Sequence, residues 1–343
     1  MPAMRQALAT TEPAIIVQTV ERPTPNDNEV LLRSSLVGIC GSDTHALAGH
    51  HPFLYPPYVP GHEAVGIVEA VGSQVDSVEV GARVILKPNL ACGKCENCVR
   101  GRSNACQSLA WIGCDPSGEH PGALAEYVLA PAHNVFPIPE HISDEEAVLI
   151  ECLSTPVHAV SLAGGLHGKA VAIIGAGTIG LLCLIAAKHA GAENVVVVDL
   201  DSYKLQRAID QGAAAVVDAL KPDVPEAVTA QLGGSADVVF DCVAHESTID
   251  QALSMLRRAG SLMIVGVPPK EITVNMPRVQ DWEIRVQGCA AYTEVDILVS
   301  IDIASEGGIP ADRIITGRYD LERSDAAFEE ASANSSGKVV VSC

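Results

Sequence analysis

Two rhythms of apolar residues divide the chain. Through residue 129 the apolar positions fall in short β-rich runs, at 14–20, 29–39, 64–71, 82–86 and 123–129, each broken by Pro or Gly. Such punctuation predicts antiparallel, barrel-like strands and a mainly β first half. The segment HHPFLYPPYVP at 50–60 carries four prolines, which enter neither a helix interior nor a central ladder, so it reads as an ordered loop. Its Phe53, Leu54 and Tyr55 suit either a pocket wall or the core. From 141 the pattern turns helical, with Ser143 and Glu146 spaced as a capping box. The stretch 169–201 then runs as a buried strand, a glycine turn, a helix to about His189, a stop at Gly191 and a Val-rich strand ending at Asp199. Strand and helix keep alternating through 236–240 and 261–267, the pattern of a parallel sheet with helices on both faces.

A helix near 295–305 and a last strand at 338–341 read as a return to the first half. Two domains follow: 1–153 together with 291–343, and between them 154–290, a Rossmann-type α/β domain with a doubly wound parallel sheet. Length agrees, since 343 residues exceed the roughly 250–300 at which a single core stops growing. With 48% hydrophobic and 19% charged residues, the chain has material for cores throughout and no disorder signature. A net charge of −20 repels phosphate backbones and anionic lipid, which argues against nucleic acid as a partner. The apolar run 170–187 is long enough to raise the question of a membrane span, but Gly175, Gly177 and Gly180 interrupt it at a strand-to-helix turn, so no membrane is expected. The N-terminus, MPAMRQALATTEPAIIVQ, lacks the basic region and apolar core of a secretion signal. The expected location is cytoplasmic, where the eleven cysteines stay reduced and clustered ones bind metal.

Three motifs carry chemistry. Residues 92–106, CGKCENCVRGRSNAC, space Cys92, Cys95, Cys98 and Cys106 as C-x2-C-x2-C-x7-C. Four thiolates at that spacing close a tetrahedral structural zinc site, whereas disulfides between such near neighbours would be strained. In GICGSDTHA, 38–46, a thiolate at Cys40 precedes GHEAVGIVEAVG, 61–72, where His62 and Glu63 sit at a turn. Thiolate, imidazole and carboxylate are the ligand types of a catalytic zinc that keeps a fourth position open. Asp43 suits either fixing the His62 ring or capping the helix that follows. In GAGTIG, 175–180, Gly175, Gly177 and Gly180 with Thr178 and Ile179 lie between strand and helix, and Asp199 follows about twenty positions on. This is a dinucleotide site, with the pyrophosphate at the helix N-terminus and Asp199 accepting from the ribose hydroxyls.

The string G-H-E-x2-G-x5-G, over Gly61, His62, Glu63, Gly66 and Gly72, with C-G-S-D ahead of it, resembles the zinc-containing medium-chain dehydrogenases. The similarity spans essentially the whole chain and is nearest the sorbitol, polyol and threonine branch. It implies a GroES-like catalytic domain beside the Rossmann domain, with the active site in the cleft between them. It implies a catalytic zinc on Cys40, His62 and an acidic third ligand, Glu151, with Cys152 as the alternative and Glu63 a further candidate. It also implies a second, non-catalytic zinc in the four-cysteine lobe, a proton relay through Ser42 and His45, and a nicotinamide loop at 265–269 with Val265 and Val267, continuing in 288–292. A homo-oligomer, usually a tetramer, goes with that branch.

The implied reaction is oxidation of a secondary hydroxyl on a polyol or sugar-derived alcohol to the ketone, with hydride passing to NAD. The Asp199 carboxylate would repel the 2′-phosphate of NADP. One departure stands out: Ala291 precedes Tyr292 where polyol dehydrogenases carry an Arg. Threonine and vicinal diols of the butanediol type therefore remain alternatives. A non-catalytic homologue, a metal-free reductase and a zinc hydrolase are the other classes. The presence of Cys40, His62 and Glu151 argues against the first two, and the dinucleotide fingerprint against the third.

Overall fold

Strand Glu29–Ile39 is the spine of the first half, and of its residues only Arg33 is exposed, because it is paired along both edges. In this computed structural model residues 2–12, 14–268, 270–333 and 337–343 are described; Met1 and Pro13 of the N-terminal stretch and Pro269 of the 265–269 loop lie outside them. The chain forms two units, 1–151 with 300–343, and 152–299. The divisions fall inside helices Asp144–Ala163 and Glu294–Ser305.

In the first unit the sheet order is Ile315–Asp320, Lys338–Ser342, Glu29–Ile39, Glu63–Val71, Arg83–Leu86 and Val135–Pro137, with Tyr127–Pro131 also paired to the spine. Val30, Val37, Leu124, Phe328 and Val341 pack into one core. Leu54 belongs to that core at 4% exposure, so of the three loop residues offered to a pocket wall only Phe53 and Tyr55, both exposed, stay outside it. A strand at Ala3–Ala9, not foreseen, pairs with Ile15–Glu21. Its polar Arg5 and Gln6 hide the pattern. The expected run at 123–129 becomes a strand only from Tyr127. Before that its backbone is spent elsewhere: Leu124 N–H donates to Pro60 C=O at 3.0 Å, and its own C=O accepts from Ala7 N–H at 2.9 Å.

The second unit holds six parallel strands in the order Ala215–Asp218, Asn194–Asp199, Ala170–Ile174, Ala236–Asp241, Leu256–Ile264 and Arg285–Gly288. Chain order reverses between Ala170–Ile174 and Ala236–Asp241, and the crevice at such a reversal is where doubly wound sheets bind ligands. The expected strand at 261–267 stops at Ile264 because the Val265 and Gly266 amides turn to the Asp241 carbonyl, at 2.9 and 3.0 Å. The apolar run at 170–187 splits into a strand and helix Thr178–His189. Among the described residues one helix, Asp144–Ala163, is long and apolar enough to cross a membrane, and 78% of its apolar window is buried within the protein. Its start is the anticipated capping box: Glu146 Oε2 accepts from Ser143 N–H at 2.8 Å, and Ser143 Oγ accepts from Glu146 N–H at 3.2 Å.

Candidate active site and metal centres

Antiparallel register assembles the first cluster. Gly38 pairs with Glu63 across strands Glu29–Ile39 and Glu63–Val71, so Cys40, just past the end of one, and His62, just before the start of the other, meet at the same end of the ribbon. Val339 pairs with Ile39, which delivers Lys338 there too. The donor atoms of Cys40, His62 and Glu63 lie within 4.8 Å of one another, and so do those of Glu63 and Glu151. His62, Glu63 and Glu151 are buried. The turn that points His62 inward needs Gly61: its φ is +105°, and a Cβ there would stand 2.4 Å from Leu124 N.

Glu63 has a partner that local reasoning missed. Lys338 Nζ donates to both of its carboxylate oxygens, at 2.7 and 2.6 Å, and to the Ile39 carbonyl at 3.2 Å. All three ammonium protons are thereby placed. A Cβ on Gly38 would sit 2.1 Å from Glu63 Oε2, which is why the facing residue is glycine. Glu63, expected as a ligand candidate, is the counter-charge of Lys338, and Glu151 is the second carboxylate beside it. Cys152, the alternative to Glu151, is buried too, and its sulfur lies within 4.8 Å of the donor atoms of both Glu63 and Glu151.

Asp43 lies inside the helix that follows, whose N-cap is Cys40, and its carboxylate faces both that cap and His62. As the third residue of helix Gly41–Leu47 its Oδ2 accepts from Cys40 N–H at 3.4 Å, and the same atom stands 3.7 Å from His62 Nδ1. Its Oδ1 accepts from Tyr58 O–H at 3.1 Å. Yet Cys114 Sγ stands closer to His62 Nδ1 than Asp43 does, at 3.2 Å. No spacing signal marks Cys114 in the sequence; it stands alone past the cysteine lobe. Burial by itself would depress the His62 imidazole, but the negative groups of Cys114, Asp43 and Cys40 raise its basicity well above the ordinary value. Burial pushes the Asp43 carboxyl and the Cys114 thiol up. A buried pocket with this many anionic donors favours a cation, and its soft sulfur, imidazole and carboxylate set fits zinc. Ser42, half-buried, and the exposed His45 lie three residues apart on that same short helix and therefore on neighbouring positions of one face.

The four-cysteine lobe is equally defined. Cys92, Cys95, Cys98 and Cys106 place their sulfurs within 4.8 Å of one another, with Cys95 to Cys98 at 3.5 Å and Cys95 to Cys106 at 4.0 Å. A tetrahedral zinc with sulfur bonds of about 2.3 Å needs edges of about 3.8 Å. Backbone N–H groups of Cys92 and Ser108 donate to Cys106 Sγ, and that of Cys95 to Cys92 Sγ, each at 3.3 Å. Amides of Gln107 and Cys98 draw the Cys95 thiol down to about 6. These donors stabilise thiolate, the form a metal takes.

In the second unit Gly175 turns at φ +95°, and a Cβ on Gly180 would lie 1.8 Å from Gly175 C=O, so the helix can follow the strand this closely only with glycine there. Around Gly177 nothing lies within 4 Å of an added Cβ, the open side a pyrophosphate requires. Thr178 and Ile179 open the helix. Asp199 Oδ2 accepts from Ala176 N–H at 2.6 Å and Oδ1 from Asp201 N–H at 2.9 Å, so the carboxylate is held at the loop with lone pairs to spare. Asp241, not anticipated, supports the far side: buried, it accepts from Val243 and Ala244 N–H, both at 2.9 Å, and from Thr248 O–H at 2.7 Å. Val265 is buried, and Val267 is 62% exposed.

Comparison with known proteins agrees on one lineage. Residues 26–140 match the family profile of the alcohol dehydrogenase GroES-like domain, and 178–305 that of the zinc-binding dehydrogenases. The chain is 34% identical over 333 residues to a sorbitol dehydrogenase of Bacillus subtilis, covering 96% of this chain and 93% of that protein. It is 33% identical over 337 residues to D-xylulose reductase A of Aspergillus niger, covering 95% and 93%. A solved structure described as a zinc-binding dehydrogenase of Sinorhizobium meliloti 1021, bound to NADP, superposes with a TM-score of 0.93 at 33% identity over 100% of both chains.

Proposed function

The chain belongs to the zinc-containing medium-chain dehydrogenases, in their polyol and threonine branch, and from that premise we propose that it oxidises a secondary hydroxyl of a polyol or sugar-derived alcohol to the ketone with NAD as acceptor. The observation that carries this reading is the donor set of half-buried Cys40 with buried His62 and Glu63, next to the buried carboxylate of Glu151, on a chain that also carries a dinucleotide loop. Cys40, His62 and Glu151 would hold a zinc ion there, and Cys92, Cys95, Cys98 and Cys106 a second. When bound, the catalytic zinc supplies Lewis-acid polarisation of a substrate oxygen, and NAD supplies the hydride acceptor.

The chain's own groups do the rest. Ser42 Oγ accepts the substrate hydroxyl proton as its own proton leaves toward His45, which is exposed on the same short helix and releases a proton to solvent. Asp43 and Cys114 flank the His62 ring at Nδ1, which leaves Nε2 as the nitrogen to ligate a metal. Asp199 selects the ribose hydroxyls of NAD, because its carboxylate, pinned by two amides, cannot swing away from a 2′-phosphate and would repel it.

Steady-state oxidation rates across sugar alcohols, inositols, vicinal diols, threonine and primary monoalcohols, each with NAD and with NADP, test the reading. Highest kcat/KM on a secondary hydroxyl of a polyol with NAD is expected. Highest kcat/KM on primary monoalcohols would overturn the substrate class, and a preference for NADP would overturn the role of Asp199.

A further inference from the structure

A polyol presents several hydroxyls besides the one oxidised, and a site that discriminates for them must offer donors and acceptors. Ala291, at φ +53°, has none to offer. His51, in the proline-rich loop, does. Its Nδ1 accepts from Phe53 N–H at 3.2 Å and from Leu54 N–H at 2.9 Å. A ring nitrogen that accepts two amides carries no proton, so the neutral imidazole holds its hydrogen on Nε2. The loop itself thus sets the tautomer. Leu54 is locked in the core, and the Phe53 ring lies edge-on to the imidazole at 6.3 Å between centroids. These contacts fix the plane of the His51 ring. Nε2 has no hydrogen-bond partner among the described residues, and the side chain is only half-buried. Burial, with the charges of His45 and His62 nearby, lowers its basicity, and its loop is tied to the proposed catalytic centre at both ends, His50 N–H donating to the His45 carbonyl at 2.8 Å and Tyr58 O–H to Asp43 Oδ1 at 3.1 Å.

We propose that His51 is a specificity-determining residue whose Nε2–H donates to a second hydroxyl of the substrate. This rests on the polyol reading above. A fixed, neutral donor six residues beyond His45 suits an uncharged polyhydroxyl ligand.

Two substitutions separate the loop's structure from substrate recognition. In His51→Asn the amide oxygen can still accept from the Phe53 and Leu54 N–H groups while the distal donor is gone; in His51→Gln the distal N–H is kept while the acceptor is gone. The readout is the ratio of kcat/KM for the best polyol to that for 2-butanol. His51→Asn is expected to lower that ratio about three- to tenfold, the worth of one neutral hydrogen bond, and His51→Gln to keep it even if both rates fall. Ratios that stay constant in both variants would overturn the proposal, as would an unchanged ratio in His51→Asn alone. Independently, 15N NMR of histidine-labelled protein should show His51 as the Nε2–H tautomer, with its signals moving on addition of the polyol; an Nδ1–H tautomer overturns the proposal. Should the wild type oxidise 2-butanol but no polyol, the functional reading fails at the first step, whatever tautomer is observed.

Discussion

Replacing Lys338 with Met removes the cation from a deeply buried ion pair of the first unit. The two side chains are 5% and 2% exposed. Lys338 Nζ donates to both Glu63 oxygens and the Ile39 carbonyl, so the substitution takes the ammonium counter-charge from a buried carboxylate that has a second carboxylate, Glu151, within 4.8 Å. Breaking a buried pair on one side costs about 3–5 kcal/mol, because the remaining charge is uncompensated. For a domain with a urea slope of about 2 kcal/mol per molar, that moves the midpoint down by roughly 1.5–2.5 M. The two tryptophans make the assay unit-specific: Trp111 lies in the first unit and Trp282 in the second. Urea unfolding at fixed zinc, followed by Trp111 fluorescence in a Trp282→Phe background, reads the first unit by itself. Substituting both partners with apolar residues, Lys338→Met with Glu63→Leu, should regain most of the loss, since a buried pair is worth little against well-packed hydrocarbon. A single substitution costing less than about 1 kcal/mol, or a double one no better than the single, would refute the assignment of Glu63 as the counter-charge of Lys338.

Three further outcomes are expected. Cys114→Val should weaken zinc binding at the Cys40 and His62 site about tenfold in a chelator competition, as loss of a group supporting a ligand histidine does; unchanged affinity would leave Asp43 as the sole orienting group. Zinc content should be two per chain and fall to one when Cys92 and Cys95 are both replaced by Ser, whereas one per chain before and after would mean that the lobe holds none. In the second unit, buried Asp296 accepts from His158 Nδ1 and Thr293 N–H, both at 2.8 Å, and from Thr293 O–H at 2.6 Å. Burial opposes ionisation, but these donors outweigh it and hold the carboxyl below the ordinary value. The folded state therefore binds the proton less readily than the unfolded one, and the stabilisation is full above about pH 4 and lost as pH falls through the folded value. Asp296→Asn should cost about 2 kcal/mol at pH 6, with the deficit shrinking at pH 3.5; Trp282 fluorescence in a Trp111→Phe background measures it, and a deficit independent of pH would contradict the sign.

Local chemistry was legible along the chain wherever the partners lie within one turn or one motif. The capping box of Ser143 and Glu146, the strand, glycine turn and helix around Gly175, and the grouping of Cys92, Cys95, Cys98 and Cys106 all depend on contacts a few residues apart, which spacing alone constrains. Apolar runs likewise marked the central strands of both sheets but not Ala3–Ala9, where polar residues mask the period, nor the short or edge strands Val135–Pro137, Ala215–Asp218, Arg285–Gly288 and Ile315–Asp320. Lys338 beside Glu63, 275 positions away, and Cys114 beside His62, 52 positions away, were not legible. Their meeting is set by sheet register and by the path of a loop, and one strand looks much like another before it is paired. Residue type narrowed the metal chemistry to thiolate, imidazole and carboxylate; which carboxylate is neutralised, and which atom touches the imidazole, follow only once the strands have closed, because a charge or a ring nitrogen takes its properties from whatever the fold packs against it.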